Sequence, residues 1–552
     1  MTKTIPPLNP FSRMFMAGCA TCLTLALASV SAMAQDSDAS PQTDRDPPTM
    51  QQVEQAWQAG DYVAVREGLK YLAEESGTAL ATYRYGRILV EGRGGPRDIA
   101  GAVKWLRLAA DENHVDAMTL LARLHLSANT LTGAQDDAEQ PDLDPARATE
   151  LLSRAAALGG AEAQFLLGQI YLTGTNVEAD AGTAFNWYLA AAEQGHTEAQ
   201  YILSQAYDAG VGTDADPEAA VTWLRKAAEN GHLPAQFYLA LRLEQGDGTP
   251  QSNGEALQWY RRAAENGLGI AQRELGTHYL RGDIVEQNTA EGLRWLQAAA
   301  QAGEVGAMAN LGFAYANGMA VEQDHTTAAN WYAKAAQNGL GRAMIALASL
   351  YENGLGVEKN VDTAISLYLK ALETNDRDGA AIELGRLAGA GALAGKMAPH
   401  RAVNWALAAA TAGNEEAEAW LRQQADEGIR PALTALATIY LGTEDRLQEG
   451  ITMLEDAANA GDADAQLRLG KMHMTGENVE LDYVAAHKWF NISATFGVDE
   501  AAKLRGQVGD LMTPEQLAEA QAETRNWFAT QEPQPPKNNQ TVRSSDPEDK
   551  RE

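Results

Sequence analysis

Tryptophan recurs at Trp187, Trp223, Trp259, Trp295 and Trp331, each 36 residues from the last, and this interval limits the fold more tightly than any other property of the chain. Glycine keeps the same step twice per unit: once through Gly174, Gly210, Gly246, Gly282, Gly318 and Gly354, and again through Gly195, Gly231, Gly267, Gly303 and Gly339. A period of this length belongs to stacked supersecondary units, each too small to bury its own apolar face. Such stacks present a long surface suited to other proteins rather than one deep reaction pocket.

The unit 161–196 shows what is repeated. Ala163, Leu167, Ile170 and Tyr171 follow the i, i+4, i+7, i+8 stripe of a first helix, here called helix A. Gly174 is suited to the left-handed conformation that ends a helix. Asp180, Asp216, Ser252, Asn288, Asp324 and Asn360 then occupy one position of successive units, and each has a side chain able to accept from free amides at a helix start. Helix B therefore begins there, carrying Ala184, Trp187, Ala191 and Ala192 on one face and ending at Gly195. Paired alanines let helices approach closely, with the tryptophan expected to supply most of the buried area. The period continues with defects into 79–114 and 463–498, which predicts about eleven helical hairpins.

The strings AEAQFLLGQIYLTGTNVEADAGTAFNWYLAAAEQGH and TEAQYILSQAYDAGVGTDADPEAAVTWLRKAAENGH resemble Sel1-like repeats, relatives of the tetratricopeptide hairpins. The resemblance rests on A-x-A-Q/M, a following L-G/A/S, an aromatic, the glycines, the capping Asp and W-Y/L recurring together over 79–498. It implies an all-α fold, a right-handed α/α superhelical solenoid used as a scaffold or adaptor in envelope assembly or signalling. Some relatives form a disulfide within each repeat. Here Cys19 and Cys22 are the only cysteines, and both lie in the leader.

Residues 1–34 have the layout of a secretory signal peptide: Lys3 and Arg13, an apolar run, and Ala32-Met33-Ala34 before Gln35. Export to the periplasm is expected, with lipid anchoring through Cys19 disfavoured because little apolar sequence precedes it. Residues 35–49 read as a disordered linker, 50–78 as an N-terminal helical cap, 499–530 as C-terminal capping helices, and 531–552 as a disordered polar tail. Irregular stretches fall at 127–145, an acidic insertion, and at 377–430, where one unit lacks its own second helix and a change of curvature is expected. Asp136, Asp137, Glu139, Asp142 and Asp144 lack the ligand alternation of a calcium loop and read as a solvated loop. No further apolar run is long enough to span a bilayer.

The formal net charge of −31 disfavours nucleic acid, which needs a cationic footprint. No catalytic signature appears, and no metal or cofactor site is expected. His196 and His232 occupy the same turn one period apart and read as structural. The glycine run at Gly389 to Gly395 lacks the strand that precedes a phosphate loop. One binding surface is singled out: Phe165, Tyr201, Phe237 and Arg273, the fifth residues of successive units, which either form an aromatic and basic strip for a protein partner or lie buried between hairpins. The functional expectation is a non-enzymatic, exported protein-binding scaffold, with polysaccharide or peptidoglycan machinery among its conceivable surroundings. The alternatives are a periplasmic regulator restraining a sensor kinase and a cell-wall or lactam hydrolase.

Overall fold

The computed structural model describes residues 47–127, 143–319 and 321–530. Within them there are 27 α-helices, one short 3-10 turn and no strand. The expected signal peptide 1–34, all but the last three residues of the expected linker 35–49, most of the acidic insertion and the expected tail 531–552 lie outside the described residues. The chain divides into two compact units, Met1–Glu304 and Val305–Glu552.

Each hairpin closes as its sequence dictates. Helix A of the unit 161–196 spans Ala161–Thr173 and stops at Gly174, whose φ of 71° lets its N–H return to the Ile170 carbonyl. Helix B spans Ala181–Glu193, where Asp180 Oδ1 accepts from the backbone amides of Gly182 and Thr183, both at 3.0 Å. Asp216, Ser252, Asn288, Asp324 and Asn360 cap their helices in the same way. A cap of this kind contributes about 1 kcal/mol, so its recurrence fixes the helix B start in each of these units.

Two further parts of the signature have a physical cause. The fourth residue of helix A is the Q of A-x-A-Q: Gln164, Gln200, Gln236 and Gln272 donate to the carbonyls of Ala156, Ala192, Ala228 and Ala264 at 3.0 to 3.2 Å. Each clip gives a second donor to a carbonyl in the last turn of the preceding helix B, which also accepts from the amide of the following glycine, and so joins one hairpin to the next. The eighth residue is small because the ring of helix B lies on it. A Cβ on Gly168 would come 2.6 Å from Tyr188, and one on Gly312 or Gly470 would come 2.7 Å from Tyr332 or Phe490.

The first unit has a cap of Met50–Ala59 and Tyr62–Ser76, followed by six hairpins from Ala79–Glu91 with Ile99–Asp111 to Gly269–Arg281 with Thr289–Gln301. The second unit begins with three hairpins from Val305–Asn317 to Pro399–Thr411. Glu415–Asp426 follows without a second helix of its own, and Arg430–Leu441 with Leu447–Asn459 and Ala463–Thr475 with Tyr483–Thr495 complete the set. Eleven hairpins result, as the period predicts. Asp499–Gly509 and Pro514–Thr530 close the second unit.

The expectation about tryptophan needs correction. Trp187, Trp223, Trp259, Trp295 and Trp331 are only half-buried, and it is the next residue along helix B that enters the core. Tyr188, Tyr260 and Tyr368 are at most 2% exposed, and Leu224 and Leu296 take the same place in alternate units. Helix rotation by one residue, about 100°, carries the tryptophan to the edge of the buried stripe. There its face meets a cation: Lys226 lies 3.7 Å from the Trp223 centroid, Lys334 4.2 Å from Trp331 and Arg294 4.7 Å from Trp295.

Ionisable residues also enter the core. Position ten of helix A, apolar as Ile170 and Ala206, becomes Arg242 and His278, which are 3% and 5% exposed. Arg242 pairs with Asp208, and His278 Nε2 lies 3.6 Å from Glu244, the acid coming in each case from position twelve of the preceding helix A. Asp283 accepts from His278 Nδ1 at 2.7 Å, and Tyr260 donates to Glu244 at 2.8 Å. In the second unit the half-buried Arg386 makes the same link, 34 residues back, to Glu352 at 2.6 Å. A buried ionisable group demands such a partner, so the Arg242 and His278 links hold their junctions in register.

Candidate interaction surface

Helix A carries the four residues singled out from the sequence, and the structure does not bring them together as an exposed strip. Phe165 and Phe237 are 6% and 5% exposed. Phe165 stacks on His196 at 4.5 Å and leans on Tyr188, and Phe237 packs against Tyr238 and Tyr260. Both rings are therefore buried within and between hairpins. Tyr201 is half-buried, 4.4 Å from the His232 ring, and burial pushes its hydroxyl pKa far above the ordinary 10.0. Arg273 is half-buried and paired with Glu274 at 2.7 Å and Glu304 at 3.3 Å.

The paired histidines have the structural role their spacing suggests. His196 Nδ1 accepts from the Ala199 amide at 3.2 Å, capping helix A, so Nε2 carries the proton and donates to Glu162 at 2.9 Å. His232 does the same with Ala235 at 3.1 Å and Glu198 at 3.1 Å. The hydrogen bond from each histidine holds the Glu162 and Glu198 carboxyls below the ordinary carboxylate range, against the opposing effect of burial.

Open surface on helix A is found one turn later, at position nine. Arg87 is exposed, and Arg123 is half-buried with Nη1 3.1 Å from Glu162. Two cavities adjoin at Arg87 and Glu91. One, of about 250 Å³, has a floor of Val53, Trp57, Leu69 and Ile88 with Arg84 and Glu54 at its rim. The other, of about 320 Å³, is lined by Tyr83, Leu120, Arg123 and Glu162. Together they form a groove with apolar seats between arginine and glutamate side chains, a composition suited to a segment of polypeptide. The sequence gives it no aromatic marker like that of the fifth position. The signal was present as Arg87 and Arg123 at the ninth position of consecutive units.

Among the described residues, no His, Cys, Asp or Glu group is arranged to hold a metal. No described helix is long and apolar enough to cross a membrane.

The model of the Sel1 repeat matches the chain ten times, at 79–114, 115–160, 161–196, 197–232, 233–268, 269–304, 305–340, 341–376, 379–414 and 463–495. The chain belongs to the Sel1 repeat family. The Sel1 matches omit 415–462, where the lone helix Glu415–Asp426 precedes a hairpin too short for the 36-residue period. No curated protein matches this Sel1 chain. Among solved structures it is similar to c5321, a protective antigen present in uropathogenic Escherichia coli strains and displaying an SLR fold. That similarity has 28% identity, covers 84% of this chain and 94% of the other, and has a TM-score of 0.54. A Sel1 repeat protein from Oxalobacter formigenes is 30% identical over 62% of this chain and 94% of its own, with a TM-score of 0.44. The Sel1 hairpins thus form a repeat scaffold of the kind that serves protein–protein interaction.

Proposed function

We propose that this protein is a non-enzymatic scaffold of the bacterial envelope that captures a partner protein on the helix A face of its first unit. The observation that carries this reading is the groove shared by the two cavities at Arg87 and Glu91, with Trp57 and Ile88 on its apolar floor and Arg84 and Arg123 along its edge. Arginine and tryptophan are the side chains that most often dominate interface energy. The signal-peptide layout of residues 1–34 supports export, and the Sel1 membership supports binding over turnover.

The test is capture of proteins from an envelope extract by the full chain and by the double variant Arg87→Ala, Arg123→Ala, with cell fractionation of the expressed protein alongside. The scaffold reading expects one or more specific partners, lost or weakened at least tenfold in the variant while its melting curve stays within about 0.5 kcal/mol of the parent, as surface changes do. Equal capture by the variant removes the groove as the binding site. Recovery only in the cytosolic fraction rejects the envelope assignment.

A further inference from the structure

The last repeat helix of the second unit, Tyr483–Thr495, packs against Asp499–Gly509 and Pro514–Thr530, and an open cavity of about 270 Å³ lies among the three. His487, Asn491, Arg505, Gln521, Thr524 and Arg525 line it. Every one of these side chains is polar, two are guanidiniums, and none is a carboxylate. That is unusual in a chain with 74 acidic and 43 basic residues, where most well-placed cations find an acid. Arg505 donates to Asn491 Oδ1 at 2.7 Å, and among the described residues neither Arg505 nor Arg525 has a carboxylate within ion-pairing distance. The neighbouring Glu523 is already held by Lys488 at 3.1 Å. His487 is 6% exposed, yet its buried Nδ1 has no hydrogen-bond partner.

A buried ring nitrogen without a partner costs free energy unless something else completes the site. We propose that the cavity binds a phosphate group. Guanidiniums present planar forks of donors matched to phosphate oxygens, and bonds to an ionised acceptor are about twice as strong as neutral ones. Donors approach from three different helices, which suits an anion with oxygens in three dimensions better than the coplanar pair of a carboxylate. The histidine supplies a reporter. Burial first, and then the charge of Arg505, lowers the pKa of His487 below the ordinary 6.5. The other groups facing it from the cavity are Asn491 on its own helix and Gln521, Thr524 and Arg525 on the terminal helix, so no acid offsets Arg505. A bound phosphate supplies the missing negative charge and raises the pKa of the ring.

The experiment uses the full chain, inorganic phosphate as the probe and the His487 imidazole resonance, assigned with His487→Gln, as the readout. Phosphate binding predicts a saturable shift of that resonance and an upward move of its titration midpoint. Arg525 is exposed, so Arg525→Gln should leave the phosphate-free melting curve unchanged while weakening binding at least about tenfold, the loss expected for one bond to a charged group. Acetate at matched ionic strength should give no saturable shift. The proposal is overturned by a non-saturable response to phosphate, by equal affinity in a folded Arg525→Gln protein, or by acetate binding as tightly as phosphate.

Discussion

At the residue scale, the difference between a repeated residue and a buried one decides what substitutions do. Trp259 marks the period, yet Tyr260 fills the core at 1% exposure. Tyr260→Ala should cost about 3–5 kcal/mol through the cavity it leaves, and Trp259→Ala, losing a half-buried ring under Arg262, about half as much. Denaturant unfolding of the two variants gives the comparison, and equal losses would contradict the assignment of the ring to the edge. The histidine links make a second residue-level prediction. Because the Glu162 and Glu198 carboxyls are lowered from the ordinary 4.5, they favour the folded state above that pH, and the contribution disappears as pH falls through their folded values. Melting temperatures followed from pH 7 to pH 3 should fall less steeply in the Glu162→Gln, Glu198→Gln variant. An unchanged acid limb would mean that these links do not stabilise the fold.

At the element scale, two helical glycines carry opposite expectations. Gly168→Ala forces a methyl group to within 2.6 Å of the Tyr188 ring and should destabilise by about 1–3 kcal/mol. Gly254, in the helix Asn253–Glu265, has no atom within 4 Å of a built Cβ, so Gly254→Ala should stabilise by about 0.5–1 kcal/mol through helix propensity. Thermal unfolding of both proteins should show shifts of opposite sign. The helices themselves were legible from sequence because Gly174 and Asp180 act locally: each end is written in one or two residues whose chemistry needs no distant partner. The burial of Phe165 and Phe237 was not legible, since a fifth-position aromatic faces either outward or toward the next hairpin depending on how two helices cross. Arg242 and His278 stand in the sequence as ionisable residues in an apolar column with acids 34 residues earlier. The His487, Arg505 and Arg525 cluster offered no such column, because two of the three lie in capping helices outside the period.

At the scale of the whole molecule, stability is built from neighbour contacts, so damage should stay near its source. In hydrogen exchange, Tyr260→Ala should speed amide exchange across 233–301 and leave Ala463–Thr475 as protected as in the parent. Uniform acceleration in both regions would instead indicate one global unfolding unit. The buried acid–base pairs add a rule of succession to this assembly. Excising residues 233–268 joins Asp208 to His278, so an acid still meets a base. Excising 197–232 sets Leu172 before Arg242, removing the Asp208 carboxylate from a nearly enclosed guanidinium. Loss of a buried ionic partner costs about 3–5 kcal/mol, so the second deletion should yield far less folded protein than the first, although both remove 36 residues. A gene that gains and loses repeats by unequal recombination is thereby edited at its joints: the junctions, rather than the hairpins, determine which ancestors of different length could have folded.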